Sequence, residues 1–277
     1  MTTKDAPGRP RGRPRSGEPA GSVQALDRAL SLLELLAEAD GLTLTELAQK
    51  AEMAPSTAHR LLTTLEGRGF ADQDREQGTW RIGVGAFRVG SAFLRNRKVV
   101  TLGRAVMRGL MEATGETVNL GIADGAEVVF ISQFESHSPM RAFFRPGRRG
   151  PIHASGLGKA ILAARGDEEV KALFRDRKLA RFTDNTITGL KAFQGELAKI
   201  RQRGWSLDDE EHTLGMRCIA AAIYDEYGEP LAGVSVSGPS VRIPDARLAA
   251  LGRAVAEAAA EITESIGGRP PGMPAEG

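Results

Sequence analysis

The 277-residue chain contains one cysteine, Cys218, and four scattered histidines. One cysteine excludes an internal disulfide and fits a reducing cytoplasm. The histidines lack the close spacing of metal ligands, so we expect no metal site and no cofactor; they are His59, His137, His153 and His212. No apolar run approaches the ~20 residues that span a membrane, and no apolar segment of a signal peptide follows the charged N-terminus. These absences indicate a cytoplasmic protein, either a regulator or an enzyme.

Residues 44–70, LTELAQKAEMAPSTAHRLLTTLEGRGF, have the pattern of a helix-turn-helix. Leu44, Leu47 and Ala48 recur at helical spacing, and after a short break Pro55 suits the first position of a second helix. In that helix an apolar stripe recurs at i, i+3, i+4 and i+7, formed by Ala58, Leu61, Leu62 and Leu65. The residues that we expect to contact phosphates and base edges in a major groove are Pro55, Ser56, Thr57, His59, Arg60 and Thr64. The alternative is an ordinary amphipathic helix with a solvated polar face.

The sequence after this helix predicts a two-stranded hairpin over Asp72–Ile82, with a turn at Gln77–Gly78. Two helices and a hairpin tipped with Arg75 and Arg81 form the plan of a winged helix-turn-helix. A supporting helix is predicted in front, over Val23–Ala39, with Ser22 as its N-cap. Its predicted apolar face consists of Leu26, Ala29, Leu30, Leu33 and Leu36.

Charge supports DNA binding unevenly along the chain. Residues 22–84 carry six Lys and Arg against ten Asp and Glu, so this region is not basic on average. Residues 1–21 are basic and too rich in Pro and Gly to fold. Within them, Arg11-Gly12-Arg13-Pro14 resembles an AT-hook, whose arginines enter a narrow minor groove. The alternative for this arm is a solvated basic tail that adds only non-specific, salt-sensitive affinity.

The remaining chain predicts a helical linker followed by a second domain. Residues 85–116 form the linker, with helices over Ala86–Leu94 and Val99–Ala113, and residues 267–277 form a disordered tail. Strands are predicted over Thr117–Ile122, Glu127–Gln133, Arg141–Phe144, Arg217–Tyr224 and Leu231–Ser237. Helices are predicted over Ser155–Ala164, Glu168–Phe174, Lys191–Arg203 and Asp245–Ile266. Interleaved strands and helices of this kind indicate an α+β domain, residues 117–266, built on one mainly antiparallel sheet.

Three features of this domain suggest a site for a small polar ligand. The helix start at Ser155–Leu157 offers free amides and a positive dipole end to a small anion, although it can also be a packed helix start. A phosphate loop needs a Gly five residues before the Gly of its Gly-Lys pair and a Ser or Thr after the Lys. Around Gly158-Lys159 these positions are His153 and Ala160, so a phosphate loop is excluded. Ser235 and Ser237 project to one face of a strand, beside Cys218 and after Asp208. Two serines in this arrangement are also common on a merely wet face.

Two segments resemble the effector-domain motifs of the IclR family of bacterial transcription regulators. They are Arg145–Ala163, RPGRRGPIHASGLGKAILA, and Gly204–Ile223, GWSLDDEEHTLGMRCIAAAI. They follow the winged helix in the expected order, and the resemblance covers residues 22 to 266. It implies a DNA-binding regulator without catalysis, a GAF-like effector-binding domain, a homodimer held by the N-terminal and linker helices, and often a dimer of dimers on operator DNA.

The resemblance also implies a ligand. The spacing of Asp208, Cys218, Ser235 and Ser237 resembles that of the glyoxylate-sensing branch, and by that resemblance these four would be the polar ligands. Gly156 and Leu157 would offer backbone amides to the carboxylate, and Met216 would line the apolar side. A different carboxylate or an aromatic acid is the alternative ligand. A cysteine-dependent enzyme using Cys218 with His153 or His212 is the alternative class, but no oxyanion-hole motif accompanies it.

Overall fold

The computed structural model describes residues 23–95, 97–142 and 144–271. The predicted arm, with Arg11 and Arg13, and the predicted tail from residue 272 onward lie outside these residues. The chain divides into two compact units, one ending at Phe93 and the other beginning at Leu94. Within the described ranges, no helix is both long and apolar enough to cross a membrane.

The first unit is a winged helix-turn-helix, as predicted. Its elements are α1 (Gln24–Ala37), β1 (Leu42–Thr43), α2 (Leu44–Lys50), α3 (Pro55–Gly67), β2 (Ala71–Asp74) and β3 (Thr79–Ile82). The three strands form an antiparallel sheet in the order β1-β3-β2. The next helix, α4 (Val84–Arg95), contains the boundary between the units.

Local sequence explains where the helices of this unit begin. Thr43 and Glu46 form a capping box at the start of α2, in which the Glu46 carboxylate accepts from the Thr43 amide at 2.8 Å. Pro55 occupies the first turn of α3, where its missing N–H costs no hydrogen bond. Ala58 and Leu62 are buried, and Trp80 of β3 is buried in the same core. The predicted apolar stripe is therefore confirmed.

The prediction for α1 was wrong in two details. The helix begins at Gln24 with Val23 in the N-cap position that was predicted for Ser22; Ser22 itself lies outside the described residues. Leu26 and Leu30 are 59% and 50% exposed, whereas Leu32 and Leu36 are buried. Since Leu30 and Leu32 are roughly 200° apart around a helix, the core selects one side and leaves the other exposed. Sequence periodicity alone could not make that choice, because both sides of this helix are apolar.

The second unit is one antiparallel sheet with helices on both faces, which confirms the predicted α+β fold. The strands are β4 (Thr117–Asp124), β5 (Glu127–Phe134), β6 (Arg149–Pro151), β7 (Ser206–Asp209), β8 (Met216–Tyr224) and β9 (Pro230–Pro239), in the order β6-β5-β4-β9-β8-β7. One core contains α5 (Lys98–Thr114) and α9 (Asp245–Ser265). The other contains α6 (Gly156–Ala164), α7 (Asp167–Leu173) and α8 (Leu190–Arg203).

The strand predicted over Arg141–Phe144 was wrong. The described residues of this segment are not in a strand, and the edge strand of the sheet is β6, at Arg149–Pro151. Phe144 instead stacks on the ring of Phe130, with centroids 4.6 Å apart. The Ala142 carbonyl accepts from the Thr117 hydroxyl at 2.9 Å. Phe144 thus packs against another ring, and the Thr117 side chain supplies the hydrogen bond that a neighbouring strand would give the Ala142 carbonyl.

Candidate functional site

The polar side of α3 is open to solvent in the first unit. Six residues were predicted to contact DNA; Pro55, Ser56, His59, Arg60 and Thr64 are exposed and Thr57 is half-buried. Thr57, Arg60 and Thr64 also line a shallow groove beside the start of α1. The Thr64 hydroxyl donates to the Arg60 carbonyl at 2.9 Å. The arrangement presents a short, polar helix face with one exposed guanidinium.

The hairpin places its two arginines differently. Arg75 lies in the exposed turn between β2 and β3. Arg81 is not at the tip, as was predicted, but on β3 directly opposite Asp72. Its guanidinium pairs with the carboxylates of Asp72 and Asp74 at 3.2 and 3.9 Å. Cross-strand pairing of opposite charges explains this position, and it leaves Arg75 as the arginine at the end of the wing.

In the second unit, three predicted site residues form one row across neighbouring strands. Asp208 of β7 is directly opposite Cys218 of β8, and Cys218 is directly opposite Ser237 of β9. Residues paired in this way point to the same face of a sheet. The position of Gly156 identifies that face, because a Cβ there would lie 2.8 Å from the Cys218 Sγ. The row therefore lies under the start of α6.

The start of α6 is fixed in place over this row. Ser155 is the N-cap, and its hydroxyl accepts from the Gly158 amide at 3.0 Å. The Ser206 hydroxyl donates to the Gly156 carbonyl at 2.6 Å. The amides of Gly156 and Leu157 occupy the first two helical positions, where the helix itself supplies no acceptor. The Leu157 side chain is buried in the core, so only its backbone is suited to a ligand.

A second polar row lies beside the first. Ser235 of β9 is directly opposite Asn119 of β4, and Asn119 is opposite Gln133 of β5. The Ser235 hydroxyl is fully buried beside the Cys218 thiol, and it makes no hydrogen bond of ordinary geometry with the described residues. Sequence reasoning found Ser235 but missed Asn119 and Gln133. Both are polar residues on strands that the sequence predicts. Only the pairing of those strands shows that Asn119 and Gln133 share a row with Ser235.

Buried charges surround Asp208, and sequence reasoning missed two of them. The ammonium of Lys159, on α6, contacts the Leu207 carbonyl and pairs with the Glu211 carboxylate. Asp208 accepts from the Glu211 amide at 2.8 Å. Burial raises the pKa of the Asp208 carboxyl to about 7, although the Lys159 charge opposes the shift. Asp208 therefore changes charge near neutral pH.

The remaining predicted residues have clear surroundings. Cys218 is partly buried, and burial and then the Asp208 charge raise the pKa of its thiol. Met216, two residues earlier on β8, is half-buried. His153 contacts the Ala180 carbonyl at 2.9 Å through Nε2 and packs beside Phe182. No group of three or more metal-ligating side chains occurs in the described part of the chain.

A cavity of about 550 Å³ lies at the other end of α6, away from the two polar rows. Arg201, which lines it, donates to the carbonyls of Ala163 and Arg165 and pairs with Asp167. The Arg201 guanidinium therefore stabilises the end of α6 and the start of α7. The polar rows are the better candidate for a ligand site, because they combine helix-terminal amides with a buried hydroxyl that lacks an ordinary hydrogen bond among the described residues.

Comparison with known proteins supports both units. Residues 25–75 match the model of the IclR helix-turn-helix domain, and residues 91–264 match that of the bacterial transcriptional regulator IclR C-terminal domain. The chain is 53% identical over 258 residues to the HTH-type transcriptional regulator BhcR of Paracoccus denitrificans, covering 92% of each chain. It is 45% identical over 251 residues to the transcriptional repressor IclR of Escherichia coli, covering 90% of this chain and 92% of that one.

A solved structure agrees with these similarities. The crystal structure of the Thermotoga maritima IclR superimposes with a TM-score of 0.74 at 30% identity, covering 87% of this chain and 98% of that one. The chain therefore belongs to the IclR family of bacterial transcriptional regulators, with a DNA-binding helix-turn-helix and an effector-binding unit.

Proposed function

We propose that this regulator senses a small 2-oxo acid, with glyoxylate as the first choice, at the polar rows under α6, and that binding changes its affinity for operator DNA. The observation that carries this proposal is the buried Ser235 hydroxyl, which has no hydrogen bond of ordinary geometry among the described residues and lies beside the row of Asp208, Cys218 and Ser237. A buried hydroxyl without a partner is costly, and a polar ligand would satisfy it.

The donors suit a carboxylate and an adjacent carbonyl or its hydrate. The Gly156 and Leu157 amides, at the positive end of the α6 dipole, would bind the carboxylate. Ser235 and Ser237 would donate to the remaining oxygens. Asp208 has a pKa of about 7, so it can carry a proton beside an anion or accept from the hydrated aldehyde. The close approach of Gly156 to Cys218 favours a small ligand. Glyoxylate itself is suggested by resemblance to the branch of the family that senses it.

Calorimetric titration tests the ligand. Wild type, Ser235→Ala, Ser237→Ala and Cys218→Ala are titrated with glyoxylate, pyruvate and 4-hydroxybenzoate. We expect glyoxylate to bind the wild type, and each serine substitution to weaken binding by roughly 1–3 kcal/mol. Ser265→Ala, at the exposed end of α9, is the matched control. Binding of 4-hydroxybenzoate without glyoxylate would reject the ligand and leave the regulator unaffected.

For DNA recognition we propose that α3 enters the major groove, with contacts from Pro55, Ser56, Thr57, His59, Arg60 and Thr64. Arg75 would contact phosphates from the wing and Arg81 would assist from β3. The arm residues Arg11 and Arg13 would enter the adjacent minor groove. The exposed polar face of α3 supports the first contact, because short side chains allow the helix to approach the bases closely.

Binding to the DNA upstream of the chain's own gene tests this proposal. We expect Arg60→Ala to weaken specific binding by roughly 1–3 kcal/mol if its guanidinium reads a base. Arg253→Ala, an exposed arginine on α9, removes the same charge in the other unit and should leave affinity unchanged. Equal affinity of Arg60→Ala, Ser56→Ala and wild type on a footprinted site would exclude α3 as the reading helix.

A cysteine-dependent enzyme is the less favoured alternative. A catalytic cysteine needs a lowered pKa, whereas burial raises the pKa of the Cys218 thiol. Neither candidate base is shown in contact with the thiol: His153 contacts the Ala180 carbonyl, and His212 contacts the Thr213 hydroxyl. The family comparison favours regulation as well, because the matched proteins are transcriptional regulators.

We further propose that the protein acts as a homodimer and assembles into a dimer of dimers. The first unit exposes large apolar side chains on two helices: Val23 before α1, Leu26 and Leu30 on α1, and Val84, Phe87, Val89 and Phe93 on α4. Exposed apolar patches of this kind mark interaction surfaces. A two-fold dimer would present two α3 helices to the half-sites of a palindromic operator.

A further inference from the structure

We propose that Asn119 and Gln133 are positioning residues that direct the Ser237 hydroxyl proton toward the effector. This inference rests on the effector site proposed above. It assigns a role to two polar side chains outside the predicted set, and it explains why a carboxylate would be preferred over a neutral amide of the same shape.

The geometry is a directed chain of hydrogen bonds across three strands. Gln133 of β5 donates from Nε2 to Oδ1 of Asn119 at 2.9 Å. Asn119 of β4 donates in turn from Nδ2 to the Ser237 oxygen at 3.4 Å. Asn119 and Ser237 are almost fully buried, whereas Gln133 is partly exposed. The chain thus runs inward from the partly exposed strand β5 to the row beneath α6.

Hydrogen-bond chemistry gives this chain a direction. An amide oxygen can only accept, and an amide nitrogen can only donate. Because Gln133 donates to Oδ1, the Asn119 nitrogen is turned toward Ser237. A hydroxyl that receives a hydrogen bond keeps its own proton for another acceptor. Ser237 is therefore a donor toward its neighbours in the row, where the effector carboxylate is proposed to bind.

The adjacent serine makes this direction important. Ser235 is opposite Asn119 in the ladder, yet its hydroxyl makes no ordinary hydrogen bond with the described residues. Two hydroxyls on β9, that of Ser237 held as a donor and that of Ser235 without an ordinary partner among the described residues, would converge on the same ligand. A carboxylate can accept from both, whereas a carboxamide nitrogen cannot accept from either. The hydrogen-bonded chain therefore favours a ligand that presents acceptors at both positions, as a carboxylate does and a carboxamide does not.

Two nearly isosteric substitutions reverse the direction of the hydrogen bonds from Gln133 through Asn119 to Ser237. In Asn119→Asp, the carboxylate can only accept, so the Ser237 hydroxyl donates to it and no longer to the ligand. In Gln133→Glu, the new carboxylate cannot donate to Asn119 Oδ1. The Asn119 amide then turns its nitrogen toward that carboxylate and its oxygen toward Ser237. Both substitutions remove the same donor from the ligand by different routes.

The test measures dissociation constants for glyoxylate and for glyoxylamide, in which a carboxamide replaces the carboxylate. We expect Asn119→Asp to weaken glyoxylate binding about 10-fold or more, the typical effect of losing a hydrogen bond to a charged group. We expect Gln133→Glu to do the same to a smaller extent. In both variants the preference for glyoxylate over glyoxylamide should narrow. Gln202→Glu, at an exposed position on α8, is the charge-matched control.

The outcomes separate this inference from the effector site itself. If Ser237→Ala binds glyoxylate like wild type, the proposed site is wrong. If Ser237→Ala loses binding while Asn119→Asp and Gln133→Glu retain it, the site stands and the positioning role is rejected. Weaker glyoxylate binding with an unchanged preference over glyoxylamide indicates a structural role only and also rejects it. If Asn119→Asp does not fold, Gln133→Glu decides, because residue 133 is partly exposed.

Discussion

Asp208 is a residue of the effector-binding unit whose ionisation depends on the tertiary structure, because burial raises its pKa to about 7. Its neighbours of like and opposite charge are the buried pair of Glu211 and Lys159, and the Cys218 thiol lies opposite it in the ladder. The Glu211–Lys159 ion pair is neutral overall, so a charged Asp208 leaves one excess negative charge among these buried groups. An anionic ligand added to them would be repelled unless a proton accompanies it.

This arrangement predicts that effector affinity depends on pH. With a pKa of about 7, Asp208 is protonated below that pH and charged above it. A bound carboxylate favours the protonated form, so affinity for glyoxylate should fall as pH rises through 7, by up to roughly ten-fold per pH unit. Titrations on both sides of this pH check it. Asp208→Asn keeps the acceptor for the Glu211 amide and should remove the dependence; a parallel slope in both proteins contradicts the prediction.

The same pKa predicts a pH effect on stability, with a definite sign. Because the pKa is raised from 3.8 to about 7, the folded state keeps a proton between these values that the unfolded state has lost. The contribution of Asp208 is full below the lower value and is lost as pH rises through the higher one. Denaturant unfolding should show stability declining over this window in wild type relative to Asp208→Asn. Wild-type stability that rises relative to Asp208→Asn as the pH increases over this window would refute the prediction.

At the scale of elements, α6 depends on close backbone contact at its first turn. A Cβ at Gly158 would collide with the Ile152 backbone carbonyl. Backbone cannot move aside as a flexible side chain does, so Gly158→Ala should lower the free energy of unfolding by roughly 1–3 kcal/mol. The control is Gly195→Ala on α8, where nothing lies within 4 Å; it should be neutral or stabilise by up to about 1 kcal/mol. Equal effects of both substitutions on chemical denaturation would contradict the prediction.

The hairpin gives a second prediction at this scale. Arg75 is in the exposed turn, whereas Arg81 already has carboxylate partners. Arg75→Ala should therefore weaken DNA binding and reduce the dependence of log affinity on log salt by about one. Arg81→Ala should have a smaller effect, because the carboxylates of Asp72 and Asp74 already offset the charge of the Arg81 guanidinium. Binding isotherms at several salt concentrations measure both. A larger salt effect for Arg81→Ala would assign the phosphate contact to β3.

At the scale of the whole molecule, the exposed apolar helix faces predict a dimer. Phe87 is 72% exposed on α4, and a charge at a buried interface is costly. Phe87→Glu should shift the protein from dimer to monomer in sedimentation and weaken operator binding. Tyr227→Glu, at a position 74% exposed in the β8–β9 turn, is the control and should sediment like wild type. A wild type that remains monomeric on DNA would exclude the dimer.

The sequence by itself determined the order and type of most elements. Apolar residues recurring at helical spacing predicted α2 and α3, and Pro55 predicted where α3 begins. The helix start at Ser155 and the hairpin that places Cys218 beside Ser237 were predicted as well. These features follow from local steric and capping preferences, which depend on neighbours in the chain.

Only the tertiary structure decided which of several apolar residues are buried in a core and which of several polar residues contact the candidate site. It buried Leu32 of α1 and exposed Leu30, and it used Phe144 for ring stacking in place of a strand. It also joined Gln133 and Asn119 to Ser237, and buried Lys159 near Asp208. These contacts connect residues distant in sequence, and their energies depend on burial and on strand pairing. A local sequence pattern does not specify burial or strand pairing, because both are established only when the strands pair and α6 packs on the sheet.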